Sequence, residues 1–540
     1  MDPRFAGAPL FTAVLLASLA LGAAGQEDST PEMPESFNEP MPYFTIGLGP
    51  FSRTITTDSN EAQAFFDQGI QLMYSFTLMD AARSFREAQL RDPNCAMCYF
   101  GEAWAWGPYM NGPMGRGALP RAQAAIEKAL ELAPEHASQV EREMIDAMAV
   151  RYVGRTDRTP QLRVDTVYAE AMGRVYEANK ADLDVGFLYA ESLMLLEPRR
   201  GNWDIERPEI QHIHHILEEV LARDIQHPGS CHLYIHSTES TTEPNKAEAC
   251  ADFLGGSIPG ASHINHMPSH TYNEVGRWGD GVRANQRAWH SDQAAAYGEG
   301  FAIYTSHNLH MLLFAASNDG QGAVAIQAGA DYTKATGGAR YYEVLTRVRF
   351  GRFDDILAME GEGPENPIFK GFWDFGHGYA HLRAGHVDVA RGFLAAIEEG
   401  RVSAPETAQF RGHSAPDLLG IVSGILGGEI SREEGRTDEA IASFERALEI
   451  EDGLRYDEPE PLNFSVRDWL GAILLEVDRA AEAEDVYRAA IDDHPFNGWS
   501  LFGLEQALRH QGKVGEAEET AKVFKTSWAR SDVWIRASRF

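Results

Sequence analysis

Ala62-Gln63-Ala64-Phe65-Phe66-Asp67-Gln68-Gly69, followed by Ala81, Phe85, Ala88 and Pro93, sets the fold. Counted from Ala62, the residues Gly69, Ala81, Phe85, Ala88 and Pro93 fall at places 8, 20, 24, 27 and 32 of a 34-residue unit. Small residues at 8 and 20 let two helices approach closely, large ones fill the groove between them, and the proline stops the second helix. The stretch therefore predicts a helical hairpin that repeats.

The same grid returns along the chain. Ala122, Ile126, Ala129 and Pro134 mark one unit after a glycine-rich insertion at 112–117. Ala247, Ala251, Leu254 and Pro259 mark the unit 228–261, and Gly276, Trp278 and Ala288 the next, 262–295. Gly435-Arg436-Thr437-Asp438-Glu439-Ala440 with Phe444 and Ala447 begins a clear late series, continued by Gly471, Ala483, Tyr487, Ala490 and Pro495 and then Gly512 and Ala517. Between about 300 and 430 the pattern loosens, anchored by Gly320/Ala325 and Gly385/Ala390. No alternating pattern runs long enough for a sheet. The expected fold is all-α, a superhelix of antiparallel hairpins. Its expected divisions are 61–299, a degenerate middle at 300–430, and a regular C-terminal array at 431–540.

This grid resembles the tetratricopeptide repeat, which implies an α-solenoid. Phe65–Gly69, Ala81–Phe85, Asp92-Pro93-Asn94-Cys95-Ala96-Met97-Cys98 and His227–Glu239 with His266–His270 further resemble a family of long exported bacterial tetratricopeptide proteins. That resemblance implies architecture and no reaction.

Residues 1–25 read as a secretory signal: Arg4, an apolar core from Leu10 to Leu21, and the small exit Ala23-Ala24-Gly25. The apolar run is too short for a membrane anchor, and no later stretch is long and apolar enough to span a bilayer. A periplasmic or secreted protein is expected. Residues 26–60 form an extended leader rich in Pro, Glu, Ser and Thr. Four cysteines suit an oxidising compartment; Cys231 and Cys250 fall on one hairpin, while Cys95 and Cys98 are open to a local disulfide, a redox pair or two buried thiols. With 80 acidic against 47 basic residues, net charge −33, the surface repels nucleic acid and anionic lipid and favours cationic partners.

The chemistry concentrates in two H-x-x-x-H pairs, His232/His236 and His266/His270, each pair 34 residues from its counterpart. On a helix such a pair points two imidazoles the same way, about 6 Å apart along the axis. Nine of the 19 histidines lie between His212 and His270, where an even spread predicts about two. By the 34-residue grid, His232, His236 and Glu239 share one first helix, His263, His266 and His270 the next, and His307 and His310 a third, all toward the concave groove. Imidazole-dominated sites take transition metals. Zinc or copper fits best and iron is conceivable with Glu239 included. Single histidine pairs more often cap helices or satisfy backbone; two pairs in matching register favour a metal.

Glu239, Glu102 and Glu191 are the candidate general acids or bases, the last two mapping to groove places on other first helices. There is no G-x-x-x-x-G-K-S/T, no G-x-S-x-G and no H-E-x-x-H, which removes support for phosphate-loop, α/β-hydrolase and zincin chemistry. The expectation is an exported solenoid with a His-rich transition-metal site, acting by hydrolysis or oxygen chemistry on a small-molecule or peptide ligand in its groove. The alternative is a non-catalytic adaptor that holds a peptide or a protein partner there.

Overall fold

The structure, a computed structural model, describes residues 39–198, 203–361 and 363–540. The expected signal segment 1–25 and the leader up to residue 38 lie outside the described residues. From residue 39 to Ser59 the chain has no regular structure and is laid over the first helices. Its backbone N–H groups find partners in side chains there: Met41 donates to Glu87, Phe44 to Gln68, Gly49 to Gln71 and Thr56 to Glu141, at 2.7–3.0 Å. An extended segment without a sheet neighbour needs such acceptors when it is covered.

Beyond it the described chain is helical, apart from one two-residue strand pairing, Gln409–Phe410 with His413–Ser414. Helix Asn60–Tyr74 starts at Ser59, whose side chain accepts from Ala62 N–H, and turns back as Leu78–Arg91. The small places of the grid have a direct physical reason. A Cβ at Gly69 or at Gly101 would run into the Phe85 ring, and one at Gly471 or Gly503 into the Tyr487 ring. Each aromatic thus fills the notch left by two glycines on neighbouring helices. Hairpins of this kind continue to Gly498–His510 and Val514–Ser527, forming an α-solenoid.

Buried apolar side chains form two clusters. One runs from Met41 to Phe301 and the other from Trp278 to Ala517. Distant hairpins also meet directly. Trp278 Nε1 donates to the Pro495 carbonyl and Trp499 Nε1 to that of Ser317, both at 2.8 Å. The last residues tuck in as well: Tyr379 donates to the Phe540 carbonyl, and Arg539 lies 3.0 Å from both Glu429 and Glu476. Disulfides join Cys95 to Cys98 and Cys231 to Cys250. Among the described residues no helix is long and apolar enough to cross a membrane.

Candidate metal centre

Helix Pro228–Thr238 carries His232 and His236, with Glu239 as its C-cap. Pro228 takes the first helical place, where its missing N–H costs nothing, and His227 Nδ1 caps the helix by accepting from Ser230 N–H at 3.0 Å. The second pair sits on a split element. Ser262–His266 ends at His266, and Pro268–Glu274, starting two residues later, carries His270. Met267 between them keeps helical angles, so Pro268 interrupts one hydrogen bond without turning the histidines apart.

These side chains are interior. His232, His236, His263, His266 and His270 are each at most 3% exposed, and His307 is half-buried. The sequence placed them on an open concave groove; the structure covers that surface. Phe76 lies against His232, His236 and His263. Over it the loop that leads into the glycine-rich insertion brings Tyr109, whose hydroxyl meets that of Tyr304 at 2.6 Å. From the other side the segment around Tyr456–Glu460 closes in, bringing Glu458 to 3.1 Å from His270 Nδ1.

Two histidine triads result, His232/His236/His263 and His266/His270/His307, each with one nitrogen per ring within 4.8 Å of the others. The triads adjoin: the rings of His236 and His270 lie 5.6 Å apart, and those of His263 and His266 5.8 Å. A tetrahedral ion with metal–nitrogen bonds of about 2.0–2.1 Å needs its nitrogens about 3.3 Å apart. In either triad the nitrogens, within 4.8 Å of one another, have to close by about 1.5 Å at most to reach that spacing.

Four of the six histidines are already held through one nitrogen. His232 Nδ1 donates to the Tyr74 carbonyl at 2.6 Å, leaving Nε2 without a hydrogen-bond partner. His236 Nδ1 pairs with Glu239 Oε1 at 2.8 Å. His266 Nδ1 faces Asn285 Oδ1 at 2.7 Å, and because the Asn285 amide donates to the Gly281 carbonyl, its oxygen must be the acceptor. His266 therefore presents a lone pair at Nε2. His270 turns Nδ1 to Glu239 Oε2 and Glu458 and its Nε2 to His266 Nε2 at 2.8 Å. Neither ring nitrogen of His263 has a hydrogen-bond partner, although the side chain is buried. Imidazoles anchored through one nitrogen and presenting the other are the arrangement in which metal-ligating histidines are oriented, and orphaned buried nitrogens call for an explanation of their own.

Electrostatics agree with this division. Burial, followed by neighbouring imidazoles, pushes His232, His263, His266 and His307 well below the usual histidine range, so they are neutral near pH 7. Burial also disfavours a charge on His270, but Glu239 and Glu458 outweigh it and raise the group to about 10. Without a metal, a proton on His270 Nε2 bridges to the His266 lone pair. A cation entering there would displace it.

Glu239 sits between the triads, one oxygen toward each. His310 lies apart from both: its Nε2 meets the Tyr342 hydroxyl at 2.5 Å, and Arg411 and Asp457 are among its charged neighbours. Glu102 accepts from Gln89 and from Trp106 on its own side of the first array. Glu191 is buried there against Trp104 Nε1 at 3.1 Å, and burial raises its carboxyl to about 7. Neither belongs to the histidine or carboxylate groups around the centre. Sequence reasoning did not find Glu458, Asn285 or the Tyr74 carbonyl. Glu458 lies in an irregular loop far along the chain, Asn285 on a second helix, and the third contribution is backbone.

A tetratricopeptide repeat profile matches residues 427–453. The chain thus carries a repeat of this type within its α-solenoid. Comparison with curated proteins gave no match. Among solved structures, the chain is similar to the APC/C hetero-tetramer Cut9–Hcn1, with 12% identity and a TM-score of 0.29 over 90% of this chain and 77% of that one. It is also similar to the human IFIT1 dimer with m7Gppp-AAAA, with 11% identity and a TM-score of 0.31 over 86% and 96%. At these TM-scores the likenesses carry no argument.

Proposed function

We propose that this chain is an exported metalloprotein whose buried six-histidine centre holds a pair of transition-metal ions and uses them on an organic substrate. The observation that carries the reading is the pair of adjoining triads, in which His232, His236, His266 and His270 each have one nitrogen engaged, by Tyr74, Glu239, Asn285 and Glu239 with Glu458 respectively. Imidazole donors suit zinc or copper, and iron less well. Such ions supply Lewis-acid activation of water or, for copper and iron, electron transfer to dioxygen. Glu239, in contact with His236 and His270 and lining the adjacent cavity, is the group placed to exchange a proton there. Export is supported by the apolar run 10–21 and by the two disulfides.

The test is elemental analysis of the mature chain beside His236→Ala/His270→Ala. Near-stoichiometric zinc, copper or iron, lost in a variant that keeps its helical circular dichroism, is the expected result. A wild-type chain that takes up no transition metal on reconstitution overturns the reading. The adaptor alternative rests on the repeat type alone, and nothing in the burial of the histidines favours it.

A further inference from the structure

On the Glu239/Glu458 side, the centre borders a cavity of 670 Å³. Its lining includes ten carboxyl groups against two arginines and two histidines. Most of these acids are already engaged: Asp457 with Arg411, Asp468 with Arg349, Asp452 with Arg467, and Glu460 and Asp493 with His494, at 3.1 Å or less. Glu451 accepts from Ser465 and Val466 N–H. Glu274, in contrast, faces the cavity with no cation beside it but His494, and burial together with Glu460 raises it to about 8. Next to it in sequence, Asn273 is only 6% exposed, lines the same cavity, and its Oδ1 has no hydrogen-bond partner. The opposite character comes from an aromatic wall, in which Trp278 and Phe314 meet at 6.1 Å with His494 stacked on Trp278. Tyr456 lines the same cavity, with Glu239, Glu274, Glu458 and Glu460 among its charged neighbours.

An aromatic wall facing carboxyl groups that outnumber the cations around them selects a particular chemistry. An ammonium offers three donors and no acceptor. It is attracted to carboxylates and to aromatic faces alike, whereas a carboxylate ligand would meet repulsion and a bare divalent ion would leave the aromatic wall unused. We propose that this cavity binds an organic amine in its protonated form, its ammonium against Glu274 and Asn273 Oδ1 and its hydrocarbon body on Trp278 and Phe314, beside the histidine centre. This names the substrate class of the proposed metal centre and rests on that reading for the ligand's being a substrate; the binding itself does not need the metal.

Calorimetric titration of the full mature chain with benzylammonium, benzyl alcohol, benzoate and Mg²⁺ tests it, on metal-loaded and chelated protein in parallel. Benzylammonium is expected to bind at least tenfold more tightly than benzyl alcohol, with benzoate not binding. Glu274→Gln should remove that preference and leave the metal content unchanged. Glu460→Gln, which lowers the same negative potential from another loop, provides a second variant and should weaken the amine several-fold. Equal affinities for the amine and the alcohol, an unchanged preference in both variants, or Mg²⁺ displacing benzylammonium at lower concentration would each overturn the proposal. A protein that binds the amine but no transition metal would keep this inference and remove the metal reading.

Discussion

The carbonyl oxygen of Tyr74 accepts a hydrogen bond from His232 Nδ1 at 2.6 Å, across 158 residues of chain. Together with the Phe76 ring against His232, His236 and His263, that contact ties the first hairpin to the centre. Tyr74 is itself fixed from its other end, where its hydroxyl donates to Asp184, and Asp184 is gripped by Arg53 at 2.7 Å and faces His227 Nε2 at 3.2 Å. The laid-over leader thereby reaches the histidine centre through one buried ionic group.

Asp184→Ala should destabilise the chain by about 1–3 kcal/mol, because it takes the buried acceptor from the Tyr74 hydroxyl and His227 Nε2 and leaves the Arg53 guanidinium with Asp182 alone. Burial works against the Asp184 charge, but His227, Arg53 and Tyr74 prevail and hold its carboxyl below the usual range. A depressed carboxylate contributes stability above its unfolded value, near pH 4, and loses it as pH falls through the folded value. Thermal melts from pH 7 down to pH 2 should show the gap between wild type and variant constant above about pH 4 and narrowing below it. A constant gap across that range refutes the assignment.

Glu191 gives the opposite sign. Its folded value, raised to about 7 by burial, means that it binds its proton more tightly folded than unfolded. Its penalty is absent below about pH 4.5 and complete above about pH 7. Glu191→Gln should therefore match wild type at pH 4 and exceed it by about 2–3 kcal/mol at pH 8. Denaturant unfolding at both pH values measures the difference.

Glu239→Gln keeps the shape but removes the charge shared by His236 Nδ1 and His270 Nδ1. Metal affinity should fall about 10–100-fold, the usual cost of losing an orienting partner. Glu102→Gln, on the far side of the first array, is the control and should leave affinity within twofold. Competition titration against a chromogenic chelator reads both.

Gly101→Ala drives a methyl group into the Phe85 ring. The expected cost is about 1–3 kcal/mol of overpacking, seen as a lower melting temperature with metal content retained in the folded fraction. An unchanged melting temperature would mean that the notch is not closed in solution.

The hairpin repeat was legible because each unit repeats one packing solution, so Gly69, Phe85 and their equivalents return at fixed spacing. The two histidine pairs were legible for the same reason. Legibility stopped where contacts leave the repeat. The grid put His307 and His310 side by side, yet only His307 reaches a triad, since Tyr342 and the 411–457 region hold His310. It showed an open groove because a periodic pattern describes hairpins and says nothing of the irregular segments at 107–117, 297–305 and 454–466 that cover them. Tyr74 acts through its carbonyl, for which side-chain identity carries no signal.

The contact between Trp278 and Pro495 spans 217 residues, and it changes how the molecule should come apart. An open array melts piecemeal, because each unit answers only to its neighbours. Here Trp278 Nε1 has its acceptor only once the chain has been made as far as Pro495, and Ser317 receives Trp499 later still. Such long-range closure makes folding slow and late and joins the hairpins from Trp278 onward into one cooperative event. Truncation from the C-terminus should consequently loosen hairpins near residue 278 rather than only those next to the cut.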